Sequence, residues 1–477
     1  MSLRAHLGPG HRRRRSTSLV AGEATRFSSA EHFRLTHSAP VRSLQRLIPP
    51  SLERCLPRQS TRRRALRRRD NAASTVAPLV NIAVVKYWGK RDTSLILPTN
   101  SSLSVTLSQD HLRSLTSARC ITSGASDARD RLWLNGEEEE IKQGGRTERC
   151  LSEMRKMRKA LEASNSSLPH LANFPIHIAS ENNFPTAAGL ASSASGLSAL
   201  IATLSTLYAL TPENGVSVSS LSRIARQGSG SACRSMFGGY VAWEMGTKDD
   251  GSDSVAVEVA PVDHWPDLHA LILVVSDKKK GTPSTAGMQR TVATSALLQH
   301  RIKEVVPARM QRITNAIQKR DFDAFAEETM ADSNQFHAVC LDTFPPIFYM
   351  NDVSRAVIQL VTELNRASVE RGEGVKAAYT YDAGPNAVLY VQEKDVKQVL
   401  ELVLRYFPQT AESFPDPFNL GAAPANDVSQ GFNKAVIPEH EVGAVARIIH
   451  TKVGDGPRVL ATEESLLNAE GMPKSLK

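Results

Sequence analysis

Residues 181–210 read ENNFPTAAGLASSASGLSALIATLSTLYAL, a stretch that changes character halfway along. The first half is small and hydroxyl-bearing, with Pro185, Gly189, Ser192 and Ser193. The second half spaces Leu190, Ala194, Leu197, Ile201, Leu204 and Tyr208 three or four apart, which predicts a helix with one apolar stripe. A small-residue loop running into a helix start points unpaired N–H groups and the positive end of the helix dipole at one spot. That spot favours an anion, most often phosphate. The same residues also suit an ordinary loop in which Ser192 or Ser193 merely caps the helix. The stretch alone leaves both readings open.

At 477 residues, 41% of them hydrophobic, the chain has material for two domains with sizeable cores. Its five cysteines, Cys55, Cys120, Cys150, Cys233 and Cys340, are odd in number and widely spaced, without a C-x-x-C pair. They read as reduced thiols of a cytosol-like compartment. The longest apolar runs, such as LHALILVV at 268–275, fall short of the roughly 18 residues a membrane span needs. A soluble protein with no membrane partner is expected. The net charge of +9 divides unevenly. Residues 1–70 hold 17 arginines, no lysine and four acids, a balance of +13, so the rest of the chain carries −4. The body is therefore not a nucleic-acid surface by charge.

Residues 1–75, with HRRRR and TRRRALRRRD, are Arg- and Ser-rich and lack a sustained apolar face, so a disordered extension is expected. It reads as a miscalled extension of the gene or dispensable tail, an organelle-targeting segment, or a basic interaction tail. Order is expected from about Ala77. PLVNIAVVKYWGKRD begins as a strand at 79–85 and ends in Lys86, Tyr87, Trp88, Gly89, Lys90 and Arg91. Cations at a strand end reach an anion over the sheet edge, although lysines in such places are more often solvated. LPTNSSLSVTLS supplies a second strand after a Pro-Thr-Asn turn. RLWLNG is a short strand and turn, and the acidic run after it a solvent-facing loop. RTERCLSEMRKMRKALEAS is a helix with Arg146 in its first turn, where a cation is unfavourable unless an anion joins it.

After the opening stretch, a helix breaks at Gly228 and SGSACRSM offers a second small-residue cluster beside Arg234. Such residues admit a ligand to the backbone, and a guanidinium grips a carboxylate or phosphate with two parallel bonds. HALILVVS at 269–276 opens a second domain, Ser284 and Thr285 precede a helix, and Phe322, Phe325, Met330 and Phe336 are expected core. VKAAYTYDAGPNAVLYVQE is a hairpin with Asp382 closing its first strand, as a turn former or a working carboxylate. Residues 407–427 read as a flexible Pro/Ala-rich insertion, and those from 457 as a tail.

Taken together, NIAVVKYWGKRD, LPTNSSLSVTLS, SENNFPTAAGLASSASG, GSGSACRSMFGGYVAWEMG, SNQFHAVCLDTFPPIFYMND and YTYDAGPNAVLY resemble the diphosphomevalonate decarboxylase family, in a fungal-like form. That family lies within the GHMP kinase superfamily, and the resemblance runs over residues 77–391 with the motif order kept. It implies an α+β fold of two lobes, an N-terminal one like ribosomal protein S5 domain 2 (76–267) and a ferredoxin-like C-terminal one (268–456), with the active site between them. It implies a homodimer, ATP as co-substrate with Mg2+, and conversion of mevalonate 5-diphosphate to isopentenyl diphosphate, carbon dioxide, ADP and phosphate. A cytoplasmic location follows unless the Arg-rich extension directs the chain to an organelle.

By resemblance, Tyr87, Trp88, Gly89, Lys90, Arg146, Ser229, Gly230, Ser231, Ala232, Cys233, Arg234 and Thr285 contact substrate. Pro185, Ala188, Gly189, Leu190, Ser192 and Ser193 contact ATP. Asp382 orients or deprotonates the tertiary hydroxyl, Arg234 holds the carboxylate side, and Lys86 keeps Asp382 ionised. The loop departs from the superfamily's kinases in placing Thr186, Ala187 and Ala188 before the single Gly189, and no metal-ligand signature is present. A small-molecule kinase of the same superfamily is the nearest rival reading. A basic-tailed nucleic-acid-binding protein is the other, and the acidic body argues against it.

Overall fold

The structure, a computed structural model, describes residues 73–77, 80–122, 129–183, 192–276, 281–427 and 430–475. The Arg-rich residues 1–72 and the ATP-loop residues Pro185, Ala188, Gly189 and Leu190 lie outside them. Ser192 and Ser193 are described only as backbone.

The N-terminal half carries β1 (Ala73–Ala77), β2 (Asn81–Val85), β3 (Lys90–Asp92), β4 (Leu97–Pro98), β5 (Ser102–Thr106), β6 (Ser114–Cys120), β7 (Arg131–Leu134) and β8 (Glu137–Glu139). Then come α1 (Arg146–Ser164), β9 (Ile176–Asn182), α2 (Ser192–Leu207), α3 (Val218–Gly228), β10 (Tyr240–Trp243) and β11 (Ala256–Ala260). The C-terminal half carries β12 (Leu268–Val274), α4 (Ser284–Thr294), α5 (Ala296–His300), α6 (Val306–Lys319), α7 (Phe322–Asp342), α8 (Asp352–Glu370), β13 (Ala378–Tyr381), β14 (Ala387–Gln392), α9 (Glu393–Tyr406), β15 (Arg447–Lys452) and β16 (Arg458–Val459). This is an α+β architecture.

Three larger sheets organise these elements. A six-stranded sheet has the order β16-β1-β6-β9-β7-β8, and two four-stranded sheets have the orders β11-β10-β5-β2 and β13-β14-β12-β15. The stripe expected on α2 is real: Ala194, Ile201, Leu204 and Tyr208 are buried in one cluster with Leu151 and Met154 of α1, Ile224 of α3, and Val76, Ala118 and Ile178 of the six-stranded sheet. A second cluster spans the halves, joining Ile82, Val84, Leu103 and Val105 to Ala270, Ile272, Phe325, Val388 and Tyr390. A third backs the C-terminal sheet with Leu360 and Leu364 of α8 and Val399 and Val403 of α9. Both β2 and β13 are edge strands of their sheets, and α7 packs against both. The Tyr390 hydroxyl donates to the carbonyl of Ile82 at 3.1 Å, tying the two sheets together beside that helix.

Four expectations need correction. Strand β1 already starts at Ala73, ahead of the expected Ala77, because Ala73 to Val76 pair with β6. The acidic run is not a loop: Asn135 and Gly136 both take positive φ (51° and 86°), which turns the chain tightly back so that Glu137–Glu139 pair with β7 as an exposed strand. Residues 407–427 are anchored, with Phe407 and Phe414 buried and Phe418 packed at a tilt against His450, 4.1 Å between ring centres. The segment from 457 is no loose tail. Val459 and Arg458 pair with Val76 and Ala77, and His177 Nδ1 meets the Gly471 carbonyl at 2.8 Å.

Among the described residues, no helix is long and apolar enough to cross a membrane.

Candidate active site

Two edge strands and three helix starts converge on one cleft. Its described lining includes Lys86, Tyr87, Trp88 and Lys90 after β2, Arg146 at the start of α1, Ser229, Gly230, Ser231 and Arg234 after α3, Ser284 and Thr285 at the start of α4, and Asp382 after β13. Asn81, Ala83, Ile96, Met288, Phe336 and Ala383 complete the wall, and none of these six was marked from the sequence as a site residue.

At one end of the cleft the Lys86 ammonium lies 2.8 Å from Asp382 Oδ1 and also donates to the Ala83 carbonyl at 2.7 Å. The lysine side chain is 3% exposed and the aspartate 33%, so the pair has one buried and one cleft-facing member. Behind Lys86 stands a chain of charges that no local sequence pattern announces. Asp332 Oδ2 accepts from the Lys86 backbone N–H at 2.7 Å, and Arg301 donates to the Lys86 carbonyl at 3.0 Å. Arg301 grips both oxygens of Asp332, at 2.8 and 3.0 Å, and Arg309 bridges Asp332 to Glu328, both at 3.1 Å. Burial of this kind is tolerable only because each charge has a partner; removing one member leaves an uncompensated charge at a cost of about 3–5 kcal/mol. His337 lies close by on α7. Burial, aided by the Lys86 charge, pushes its imidazole down to about 4, and its Nε2 has no partner among the described residues.

The other end is electrically different. Lys90 and Arg146 face the same space, and burial together with the Arg146 charge holds the Lys90 ammonium below its ordinary pKa. Arg146 reaches the Thr285 hydroxyl only at 3.5 Å, the outer limit of a hydrogen bond. Arg234, 2% exposed, is held by neutral groups: Ser104 Oγ at 2.9 Å, Asn81 Oδ1 at 3.3 Å and the Ser102 hydroxyl. Burial lowers its pKa, with Cys233, Asp382 and Tyr87 opposing. Tyr87 packs at a tilt against Trp243, 4.7 Å between ring centres, burial pushes its phenol strongly up, and its hydroxyl is buried without a partner among the described residues. A Cβ at Gly230 would meet that ring at 2.9 Å, which explains glycine there.

The resemblance-based substrate contacts do not all reach the cleft. Ala232 and Cys233 are fully buried behind it, because residues 230–236 coil into a 3-10 helix that turns them inward. The Cys233 thiol donates to the Gly230 carbonyl at 3.0 Å, and burial pushes it up to about 12, so it is a packing group rather than a nucleophile. Gly89 also lies off the described lining. Its φ of +101° bends the chain between Trp88 and Lys90, and its carbonyl accepts from Thr99 N at 3.2 Å. Trp88 is locked by an Nε1 bond to Thr291 at 3.0 Å and by edge-on contact with Phe336.

Among the described residues no three His, Cys, Asp or Glu side chains are grouped to hold a metal ion, and Asp382 is the single carboxylate in the described lining. Such a donor set fits magnesium carried mainly on phosphate oxygens and water rather than in a protein cage.

Two family models match the chain: the diphosphomevalonate decarboxylase-like N-terminal domain over residues 78–256 and the mevalonate 5-diphosphate decarboxylase C-terminal domain over 270–460. A diphosphomevalonate decarboxylase of Ganoderma lucidum is 64% identical over 403 residues, covering 84% of this chain and 99% of the relative. A crystal structure of a mevalonate 5-diphosphate decarboxylase superposes with a TM-score of 0.73 at 49% identity, covering 84% of this chain and 99% of that one. A further structure, designated MDDEF and in complex with MVAPP, AMPPCP and magnesium, has a TM-score of 0.60 at 28% identity, covering 82% and 99%.

Proposed function

The chain belongs to the diphosphomevalonate decarboxylase family, and from that premise we propose that the cleft between its two halves carries out the family's reaction with the residues placed there. The enzyme is an ATP-dependent decarboxylase that converts mevalonate 5-diphosphate to isopentenyl diphosphate, with release of carbon dioxide, ADP and phosphate, in isoprenoid and sterol synthesis. The observation that carries the assignment of roles is the contrast within one cleft: an ion-paired carboxylate, Asp382, at one end and, at the other, Lys90 and Arg146, cations lacking carboxylate partners among the described residues.

The diphosphate lies on Lys90 and Arg146, with the Thr285, Ser229 and Ser231 hydroxyls and the Tyr87 phenol supplying hydrogen bonds. Arg234 holds the carboxylate side. Asp382 orients the tertiary hydroxyl and receives its proton as that oxygen attacks the terminal phosphorus of ATP and ADP leaves. The new phosphate ester then departs with its C–O electron pair. The pair of the C1–C2 bond becomes the double bond, and the carboxylate leaves as carbon dioxide. Lys86 fixes Asp382 and offsets negative charge as it builds. Magnesium, when bound with ATP, neutralises phosphate charge. We place the ATP phosphates at residues 185–193, ahead of α2, whose N-terminal end favours anions.

A homodimer, a cytoplasmic location and domain limits of 76–267 and 268–456 complete the reading; sedimentation tests the dimer. Incubation with ATP and mevalonate 5-diphosphate should release carbon dioxide and ADP in equal amounts. ADP without carbon dioxide would make the protein a kinase of the same superfamily instead.

A further inference from the structure

Lys86 and Asp382 are 296 positions apart and follow edge strands of two different sheets, yet their charged atoms meet at 2.8 Å. What sets that distance is α7, which lies along both edges. Two consecutive residues of this helix each take one backbone N–H at the site. Asp332 Oδ2 accepts from Lys86 N at 2.7 Å, and Ser333 Oγ accepts from Tyr381 N, the residue before Asp382, at 3.0 Å. Both are at most 1% exposed. The Lys86 peptide is fixed on its other side too, since Arg301 donates to its carbonyl while gripping Asp332. Arg301 opens a single π turn, Arg301–Val305, a distortion that often marks a functional place in a helix.

We propose that Asp332 and Ser333 are a positioning dyad: together they hold the backbone at Lys86 and at Asp382 so that ammonium and carboxylate keep their alignment through turnover, with Arg301 locking Asp332 in place. Neither residue lines the cleft, so neither is a catalytic residue. The dyad acts through the two that are. This rests on the Lys86–Asp382 reading above. Misplacing a reacting group by about 1 Å costs on the order of a hundredfold in rate, whereas the substrate contacts at Lys90, Arg146 and Arg234 are held by other elements.

The test is steady-state kinetics on Asp332→Asn and Ser333→Ala beside Arg309→Met, with thermal unfolding recorded for each. Arg309 reaches Asp332 and Glu328, but none of its described contacts is to Lys86 or Tyr381, so its loss burdens the same buried network without touching the site. Asp332→Asn should lower kcat about tenfold or more and Ser333→Ala about threefold to tenfold, with KM for both substrates within about threefold. Arg309→Met, at comparable loss of thermal stability, should keep kcat within about threefold. Equal kcat in all three variants at matched stability overturns the dyad. Failure of both dyad variants to fold assigns them to the fold alone and rejects it as well. Lys86→Met and Asp382→Asn, run in parallel, separate the two readings. If they retain turnover, the underlying pair is wrong; if they lose it while the dyad variants do not, only the dyad is.

Discussion

The two ends of the cleft are built on opposite electrostatic plans. Around Lys86, Asp382, Asp332, Arg301 and Arg309 every charge meets an opposite charge within about hydrogen-bond reach. Around Lys90, Arg146 and Arg234 the cations have hydroxyl and amide neighbours and no carboxylate partner among the described residues. A balanced cluster is rigid and complete before anything binds. An unbalanced one is stabilised by whatever anion arrives, because that anion removes the mutual repulsion of Lys90 and Arg146. The difference separates geometry for chemistry from affinity for a charged substrate.

The sharpest way to break this division is Asp382→Asn. It should cut turnover by about two to four orders of magnitude while KM for mevalonate 5-diphosphate moves less than about threefold, read from carbon dioxide release. Near-normal release would remove Asp382 from its role. Arg234 lies between the two ends, and Arg234→Ala should raise KM and lower kcat together, by about ten- to a hundredfold in kcat/KM. An intact rate with unchanged KM would exclude the clamp. Lys90→Met belongs wholly to the unbalanced end. It should raise KM about tenfold with kcat nearly kept, and should abolish most of the rise in melting temperature that inorganic diphosphate gives the parent protein. An equal rise in both proteins would place the diphosphate elsewhere.

The smallest effect is on acid stability. Burial pushes His337, beside the balanced end, and His269 down to about 4, and His450 to about 3, from 6.5. Unfolded imidazoles take up protons near 6.5 and these do not, so between those values the unfolded state binds more protons. Stability is therefore full above about 6.5 and is lost as pH falls towards 4 and below. His337→Gln should flatten part of the slope of melting temperature against pH in that interval. An unaltered slope would mean His337 is not the buried neutral imidazole its surroundings require.

Much of the cleft lining was legible because its residues sit in short segments whose types already speak: KYWGK at a strand end, Arg146 at a helix start, Arg234 among small residues, Asp382 at a hairpin turn. The helices followed from apolar spacing, as α1 and α2 illustrate. Asp332, Ser333 and Arg301 stayed hidden for a physical reason. They lie among the core residues of long helical segments; Asp332 and Arg301 meet Lys86 from 246 and 215 positions away and Ser333 meets Tyr381 from 48, so no local pattern betrays them. The buried positions of Ala232 and Cys233, off the described lining, were not legible because a run of small residues does not reveal which of them a 3-10 turn will face inward. Phe336 read as ordinary core, and in part it is, since it belongs with Met288 to the apolar cluster under Trp88.

One pairing bears on how the molecule is made. The outer neighbour of β1 is β16, so the first strand of the N-terminal half waits for residues 458–459 before its sheet is whole. During synthesis from the ribosome, the early half leaves with that edge uncovered, its backbone groups open to pairing with other chains. Residues 458–459, made long after β1, then close it. The six-stranded sheet of the N-terminal half is thus completed by a strand that lies beyond the whole C-terminal half in the chain.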